Sequence, residues 1–192
     1  EKNIKYSIEY GEAAFYGPKL DFMVKDSLNR KWQLGTIQVD YQLPERFKLE
    51  YITENNDKNT PVVIHRAPFG SLERFVALLT EHCYGNFPFW LAPIQITILS
   101  ISDKFNTYSE KVFESLSKLN LRVIKDLRSE KISKKIRDAE LKKIPYMIII
   151  GENELKSKKI SLRKHTEGDL GIMTLDHLIY TLRKEKNVII NN

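Results

Sequence analysis

A single cysteine, Cys83, stands in 192 residues, so no disulfide can close within the chain. A lone thiol of this kind fits a reducing cytoplasm. Long apolar runs are missing as well. None approaches the ~20 residues that a bilayer-spanning helix needs, and the apolar stretch Tyr146–Ile150 is only strand-sized. There is no Walker-type loop, which argues against the common phosphate-cradling nucleotide enzymes. Internal repeats and low-complexity tracts are absent too. The four histidines and Cys83 form no evident zinc spacing among themselves. The amino end, Glu1–Glu12, is charged and alternating, unlike a signal sequence.

What is present is an ordinary globular composition, 42% hydrophobic and 29% charged. The net charge of +6 is unevenly placed. Residues 1–93 carry 11 Lys/Arg against 12 Asp/Glu, whereas residues 94–192 carry 20 against 13. Arg122–Lys143 alone holds nine basic and four acidic side chains. Such a run can steer polyanions toward the second half, or can simply be a solvated helix face.

The first half reads as antiparallel strands. Lys19–Asp26 alternates, with Leu20, Phe22 and Val24 on one face. Lys31–Tyr41 is β-rich, with Gly35 marking a bulge. Asn55, Asn56, Asp57 and Asn59 make a polar turn before Pro61, and Val62–Arg66 is a short strand. Gly70-Ser71 starts a helix whose residues Leu72, Phe75, Ala77, Leu78 and Leu79 suit a place under a sheet. The aromatic and proline stretch Gly85–Pro93 then breaks the periodicity, which sets a domain boundary between 1–93 and 94–192. Beyond it, strands at Ile94–Ile101, Leu121–Asp126 and Tyr146–Ile150 alternate with helical stripes. One stripe is Tyr108, Val112, Leu116 and Leu119, and the other is Ile132, Ile136 and Ala139. That order implies parallel pairing with helical crossovers. A strand at Lys159–Arg163 and a helix at Leu175–Lys184 complete the chain.

Three places combine polar groups with a rigid support. Phe15-Tyr16-Gly17-Pro18-Lys19 sets a phenol and an ammonium around a turn, which could equally be a β-turn with an incidental lysine. In Gly70–Phe75, Arg74 shares a helix face with Ser71. A glycine-led helix start offers free N–H groups to phosphate, and an arginine can clamp it bidentately. The same residues also read as a surface Glu73/Arg74 pair. His65 lies in a strand, where a hydrogen-bonded rim histidine is commoner than a metal ligand. These readings support an antiparallel sheet joined to a basic α/β domain with a nucleotide site, and they name no reaction.

The same segments match a family. FYGPKLDF, WQLGTIQVDYQLPERF, VVIHRAPFGSLERF and FPFWLAPIQ resemble, in order and spacing, the catalytic domain of threonyl-tRNA synthetases. DLRSEKISKKIRDAELKKIPYMIIIGENE resembles the anticodon domain shared by the threonyl, prolyl, histidyl and glycyl enzymes. The resemblance covers essentially the whole chain. It implies part of a class II antiparallel β-sheet with helices, followed by a smaller α/β anticodon-binding domain whose mixed sheet is flanked by helices. It also implies a threonine–tRNA ligase, cytoplasmic and dimeric when whole, which activates threonine with ATP and transfers it to the 3′ end of threonine tRNA. The alternative is a non-catalytic tRNA-binding relative.

Carried over residue by residue, the resemblance makes Gly70–Phe75 the motif 3 segment. Lys19 and Arg74 are then catalytic, and Arg74 and Gln33 bind ATP with its Mg²⁺. Tyr16, Gln33, Gln38, Ala67 and Ser71 border the substrate. Gln33 and Gln38 can share a face only if the pleat is interrupted near Gly35. His65 becomes one of three protein ligands of a Zn²⁺ that grips threonine, the other two lying outside this chain. His65 and Arg74 are expected at the floor of one hollow. Ser129, Lys143, Glu154 and Arg163 occupy anticodon-reading positions, where serine and lysine replace the more usual asparagine and arginine. By the same resemblance the chain opens mid-domain, without motifs 1 and 2 or an editing domain, as a shortened or proteolysed protein would. Half a sheet leaves an unpaired edge and an exposed apolar face.

Overall fold

A computed structural model describes residues 5–187, so the first four residues of the charged amino end and residues 188–192 lie outside it. The chain forms two compact units, Glu1–His82 and Cys83–Asn192.

The first unit is built on an antiparallel sheet of order β1-β2-β5, comprising β1 (Lys19–Lys25), β2 (Lys31–Asp40) and β5 (Val63–Ala67). Asp26 closes the β1–β2 hairpin. Its Oδ1 accepts the amides of Leu28 (3.0 Å) and Arg30 (2.8 Å). Asn29 turns the chain at φ 60°, a conformation asparagine tolerates. Between β2 and β5 lie α1 (Gln42–Arg46) and a small ladder of β3 (Tyr51–Ile52) with β4 (Lys58–Asn59), whose turn is the asparagine cluster. The helix α2 (Leu72–His82) follows β5.

The β1–β2 register slips between Phe22 and Met23, beside Gly35. A slip of one residue flips every later side chain to the other face. Consequently Gln38, opposite Lys19, and Gln33, opposite Met23, point the same way, as the sequence required of a bulge at this point. Gly35 is needed for packing as well, since a Cβ there would stand 2.8 Å from Pro68 O.

None of the described residues of this unit belongs to a hydrophobic core cluster. Among its described residues only Gly35, Asp40 and Pro44 are buried. The helix α2, whose composition suits a place beneath a sheet, has no buried residue, and Leu72 and Val76 are more than half exposed. Three strands are too narrow to cover it.

The second unit is a five-stranded mixed sheet of order β10-β9-β8-β6-β7. Its strands are β6 (Ile96–Ser100), β7 (Val123–Asp126), β8 (Tyr146–Ile150), β9 (Ile160–Lys164) and β10 (Gly168–Met173). β6 pairs in parallel with β7 and β8, while β8, β9 and β10 are antiparallel neighbours. The helices are α3 (Asn106–Ser117), α4 (Ile132–Leu141), α5 (Glu152–Ser157) and α6 (Leu175–Asn187). Val112 and Leu116 of α3 and Leu178 and Leu182 of α6 bury Ile96, Ile98 and Ile148 on one side of the sheet. Ala139 of α4 packs with Leu99, Ile144 and Met147 on the other. The stripes read from the sequence are these faces. β10 escaped that reading because its two glycines hide the alternation.

The stretch 83–93 packs within the second unit. Phe89 joins its core, edge-on to Tyr146 at 5.6 Å, and Arg122 donates to the carbonyls of Trp90 and Ala92. Lys135, only 1% exposed, donates its ammonium to Ser100 O (2.7 Å) and Asp126 O (3.2 Å), which ties the ends of β6 and β7 together.

These cores make a testable difference. Residues 83–192 expressed alone should melt in one cooperative transition, because they carry both buried clusters. Residues 1–82 alone should show none. Differential scanning calorimetry of the two pieces decides it, and a cooperative transition in 1–82 would contradict the assignment.

Candidate functional site

The aligned face of β2 gathers most of the polar side chains singled out from the sequence. Gln38 opposes Lys19 on one side and His65 on the other, and Thr36 opposes Ala67, so all five share that face. Asp21 is there too, accepting Gln33 Nε2 (2.8 Å) and the Lys19 ammonium (3.0 Å). The hydrogen bond and charge of Asp21 hold the Lys19 ammonium above the usual lysine pKa.

Tyr16 is delivered by the backbone. Its carbonyl accepts Tyr41 N and Pro18 O accepts Val39 N, so the segment lies along β2 ahead of β1. Gly17 permits this approach, since a Cβ there would fall 2.1 Å from Val39 O. The Tyr16 hydroxyl then donates to Gln38 Oε1 at 3.2 Å. Tyr16, Gln38 and His65 line a cavity of about 470 Å³ together with Asp40, Leu43 and Arg46.

Asp40 was not singled out from the sequence, although it lies two residues past Gln38 and so on the same face. Its carboxylate is buried and fully engaged. Oδ1 accepts the amides of Gln42 (2.9 Å) and Leu43 (3.0 Å), and Oδ2 accepts His65 Nε2 at 3.0 Å. The Leu43 amide above all keeps this carboxyl below the usual range against the effect of burial, with His65 and the Gln42 amide adding to it. Histidine ligands of metals characteristically donate their second N–H to a carboxylate in this way. The donor set therefore fits a metal held through His65 Nδ1. Among the described residues no group of three His, Cys, Asp or Glu could hold an ion by itself.

Arg74 is placed differently. Gly70, at φ 63° and with Leu34 O 2.5 Å from where a Cβ would stand, lets the chain cross β2 closely into α2. Ser71 Oγ accepts Arg74 N (3.2 Å) at the helix start. Arg74 then donates to Gln33 O (3.2 Å), with its guanidinium 5.5 Å from the centre of the Trp32 ring. Trp32, opposite Val24, belongs to the other face of the sheet. Arg74 and Trp32 line a cavity of about 290 Å³ that His65 does not touch. The expectation of one hollow shared by His65 and Arg74 is thus not met. β5 pairs only with the second half of β2, so α2 runs past the first half and carries Arg74 to Gln33 instead.

The Trp32 indole N–H donates to Asp26 Oδ2 (2.9 Å), as does Arg30 Nε (2.6 Å). The indole first, then Arg30, hold the Asp26 carboxyl down at about 2 against the effect of burial, from an ordinary 3.8. A depressed folded pKa stabilises the hairpin above the unfolded value and loses that contribution as pH falls toward the folded one. The Trp32 indole N–H resonance should therefore hold steady from neutral pH to about 4 and shift between about 4 and 2. In Asp26→Asn it should not titrate in that window, and an unchanged titration there would refute the pairing.

The four expected anticodon positions do not converge. Ser129 follows β7 and Glu154 lies in α5 after β8, both at the carboxyl end of the parallel strands. Lys143 precedes β8 at the opposite end, and its ammonium is bound to Tyr84 O. Glu154 is buried and accepts Gly151 N (2.9 Å), capping its own helix. Arg163 lies opposite Met147, with its Nε buried, unbonded and 3.7 Å from Glu140. The basic run is largely absorbed by the fold. Arg128 bonds Asp126 and Asp138, Lys134 pairs with Glu130, Lys125 with Glu110, and Lys135 is buried. Arg122, Lys135 and Lys143 bond backbone carbonyls, and among the described residues of that run Lys131, Arg137 and Lys142 carry neither an ion pair nor a side-chain hydrogen bond.

Comparison with known proteins follows this division. Residues 2–83 match the tRNA synthetase class II core domain (G, H, P, S and T), and residues 95–185 match an anticodon binding domain. Over 191 residues the chain is 58% identical to a threonine–tRNA ligase of Porphyromonas gingivalis and 59% identical to one of Bacteroides fragilis. It is covered completely in both matches and spans 29% and 30% of those curated relatives. The crystal structure of the RNA binding domain of threonyl-tRNA synthetase from Cryptosporidium parvum superposes with a TM-score of 0.85 at 44% identity, covering 91% of this chain and 44% of that one. No described helix is long and apolar enough to cross a membrane.

Proposed function

Because the chain belongs to the threonyl-tRNA synthetase family of class II enzymes, we propose that it forms the threonine-binding and motif 3 part of a threonine–tRNA ligase, with its anticodon-binding domain. One observation carries this reading. The β2 bulge aligns Gln33 and Gln38 on one face with Lys19 and His65. Those glutamines stand roughly 15 Å apart along the strand. That is the reach of an extended aminoacyl-adenylate, with the amino acid near Tyr16, Gln38 and His65 and the nucleotide near Gln33 and Arg74.

In the first step a threonine carboxylate oxygen attacks the ATP α-phosphorus, and the bond to pyrophosphate breaks. In the second, the terminal ribose hydroxyl of the tRNA attacks the acyl carbon and AMP departs. Arg74 supplies fixed positive charge to the phosphates beside ATP-bound Mg²⁺, and Lys19 a second cation on the substrate face. Tyr16, Gln38, Ala67 and Ser71 shape and orient the substrate. His65, oriented by Asp40, would be one ligand of a Zn²⁺, with its other ligands supplied from outside these residues. A bound zinc would give threonine's amine and hydroxyl a Lewis-acid site, which nearly isosteric valine cannot satisfy. The second unit contacts the anticodon of threonine tRNA, with Ser129, Lys143 and Arg163 as its candidate readers and Glu154 shaping the backbone of α5, and an arginine can stack on or pair with an unstacked base. The whole protein acts as a cytoplasmic homodimer.

Full-length protein should exchange pyrophosphate into ATP in the presence of threonine and not of proline. Residues 1–192 alone should not, because they carry a single zinc ligand and one of the two phosphate-binding arginines of the class. Proline-dependent exchange, or threonine-dependent exchange by the 192-residue chain, would overturn the proposal.

A further inference from the structure

Arg74 is exposed and sits on a long flexible stem, yet it has a defined place. An arginine loses rotamer freedom when fixed, so contacts must favour one position. Two contacts do so: the Gln33 carbonyl at 3.2 Å and the Trp32 ring at 5.5 Å. The ring is itself tethered, because its N–H is bound to the buried Asp26 carboxylate at 2.9 Å. Arg30, on the same carboxylate, stands 5.7 Å from the ring centre. Trp32, Asp26 and Arg30 are not among the expected site residues, and Trp32 lies on the face of β2 away from Gln38 and His65.

We infer that Trp32 is a positioning residue for Arg74, holding its guanidinium at the unpaired edge of β2 beside Gln33 so that it meets ATP without reorganising. The inference rests on the reading that Arg74 binds ATP. The indole face attracts the guanidinium, and the Asp26 tether keeps the indole from turning. Preorganised charge is effective because no rearrangement cost falls at the moment of reaction.

The test uses the full-length synthetase in threonine-dependent pyrophosphate exchange, with Trp32→Leu, Trp32→Phe, Arg74→Ala and the Trp32→Leu/Arg74→Ala double variant. Trp32→Leu should raise KM for ATP about three- to tenfold and leave KM for threonine within about twofold. Trp32→Phe, which keeps an aromatic face, should recover much of the loss. In the Arg74→Ala background Trp32→Leu should add nothing, since its effect passes through the guanidinium. The inference is overturned if Trp32→Leu costs as much with Arg74 absent as with it present, if both KM values rise together, or if KM for ATP falls because Arg74 was being held away. Should the leucine variant not fold, the phenylalanine variant must still show a selective rise in KM for ATP, and equal rises for both substrates sink the idea. Failure of the underlying reading looks different: Arg74→Ala itself would leave KM for ATP unchanged.

Discussion

Replacing Arg74 with alanine should lower kcat/KM for ATP in pyrophosphate exchange by roughly 10²–10³-fold in the full-length enzyme, the usual cost of losing one preorganised charge or donor at a reacting group. The side chain is already poised, with one guanidinium nitrogen on Gln33 O and its face on Trp32. Nothing it touches belongs to the threonine end of the strand, so threonine binding measured calorimetrically should be nearly unchanged. Arg74→Lys should rescue poorly, because an ammonium keeps the charge but loses the planar fork that can engage the Gln33 carbonyl, the ring and a phosphate together. A loss below threefold, or full rescue by lysine, would remove Arg74 from the nucleotide end.

The second large effect concerns His65. His65→Ala should empty the metal site of the full-length protein. Zinc per subunit, measured by atomic emission after dialysis, should fall from one toward none, and the preference for threonine over valine in exchange should fall with it. The preference should drop because without a hydroxyl-selective ligand an apolar pocket separates such near-isosteres by only about 1–3 kcal/mol. Asp40→Asn isolates the carboxylate. It keeps the shape but weakens the bond to His65 Nε2 at 3.0 Å, and should reduce zinc affinity about 10–100-fold in chelator competition. Loss of zinc in neither variant would return His65 to a rim histidine bonded to a capping aspartate. Loss of zinc in both, with threonine selectivity intact, would separate the metal from substrate choice.

Some of this site was legible in the residues alone. Alternation in β1, β-rich composition in β2 and a short apolar run in β8 placed these strands within a residue of their observed ends, because each is a local property. The glutamine problem was also solvable in advance: Gln33 and Gln38 differ by an odd number, so only an irregularity beside Gly35 could align them, and the register slips there. Asp40 could have been found by extending that face two residues. The basic run misled in degree, since Lys125, Arg128 and Lys134 are paired with Glu110, Asp126, Asp138 and Glu130 and Lys135 is buried.

Local pattern was enough for the division into an antiparallel part and a parallel-stranded part, for the main strands and helices other than β10, and for the chemistry available on β2, since each depends on residues a few positions apart. Only the tertiary structure decided that Arg74 meets Trp32 and Gln33 rather than His65, that Asp40 orients His65, and that Lys135 is a buried tie between strand ends. Those outcomes depend on which half of β2 is paired with β5 and where the chain crosses at Gly70, and hence on register between distant segments, which no local periodicity encodes.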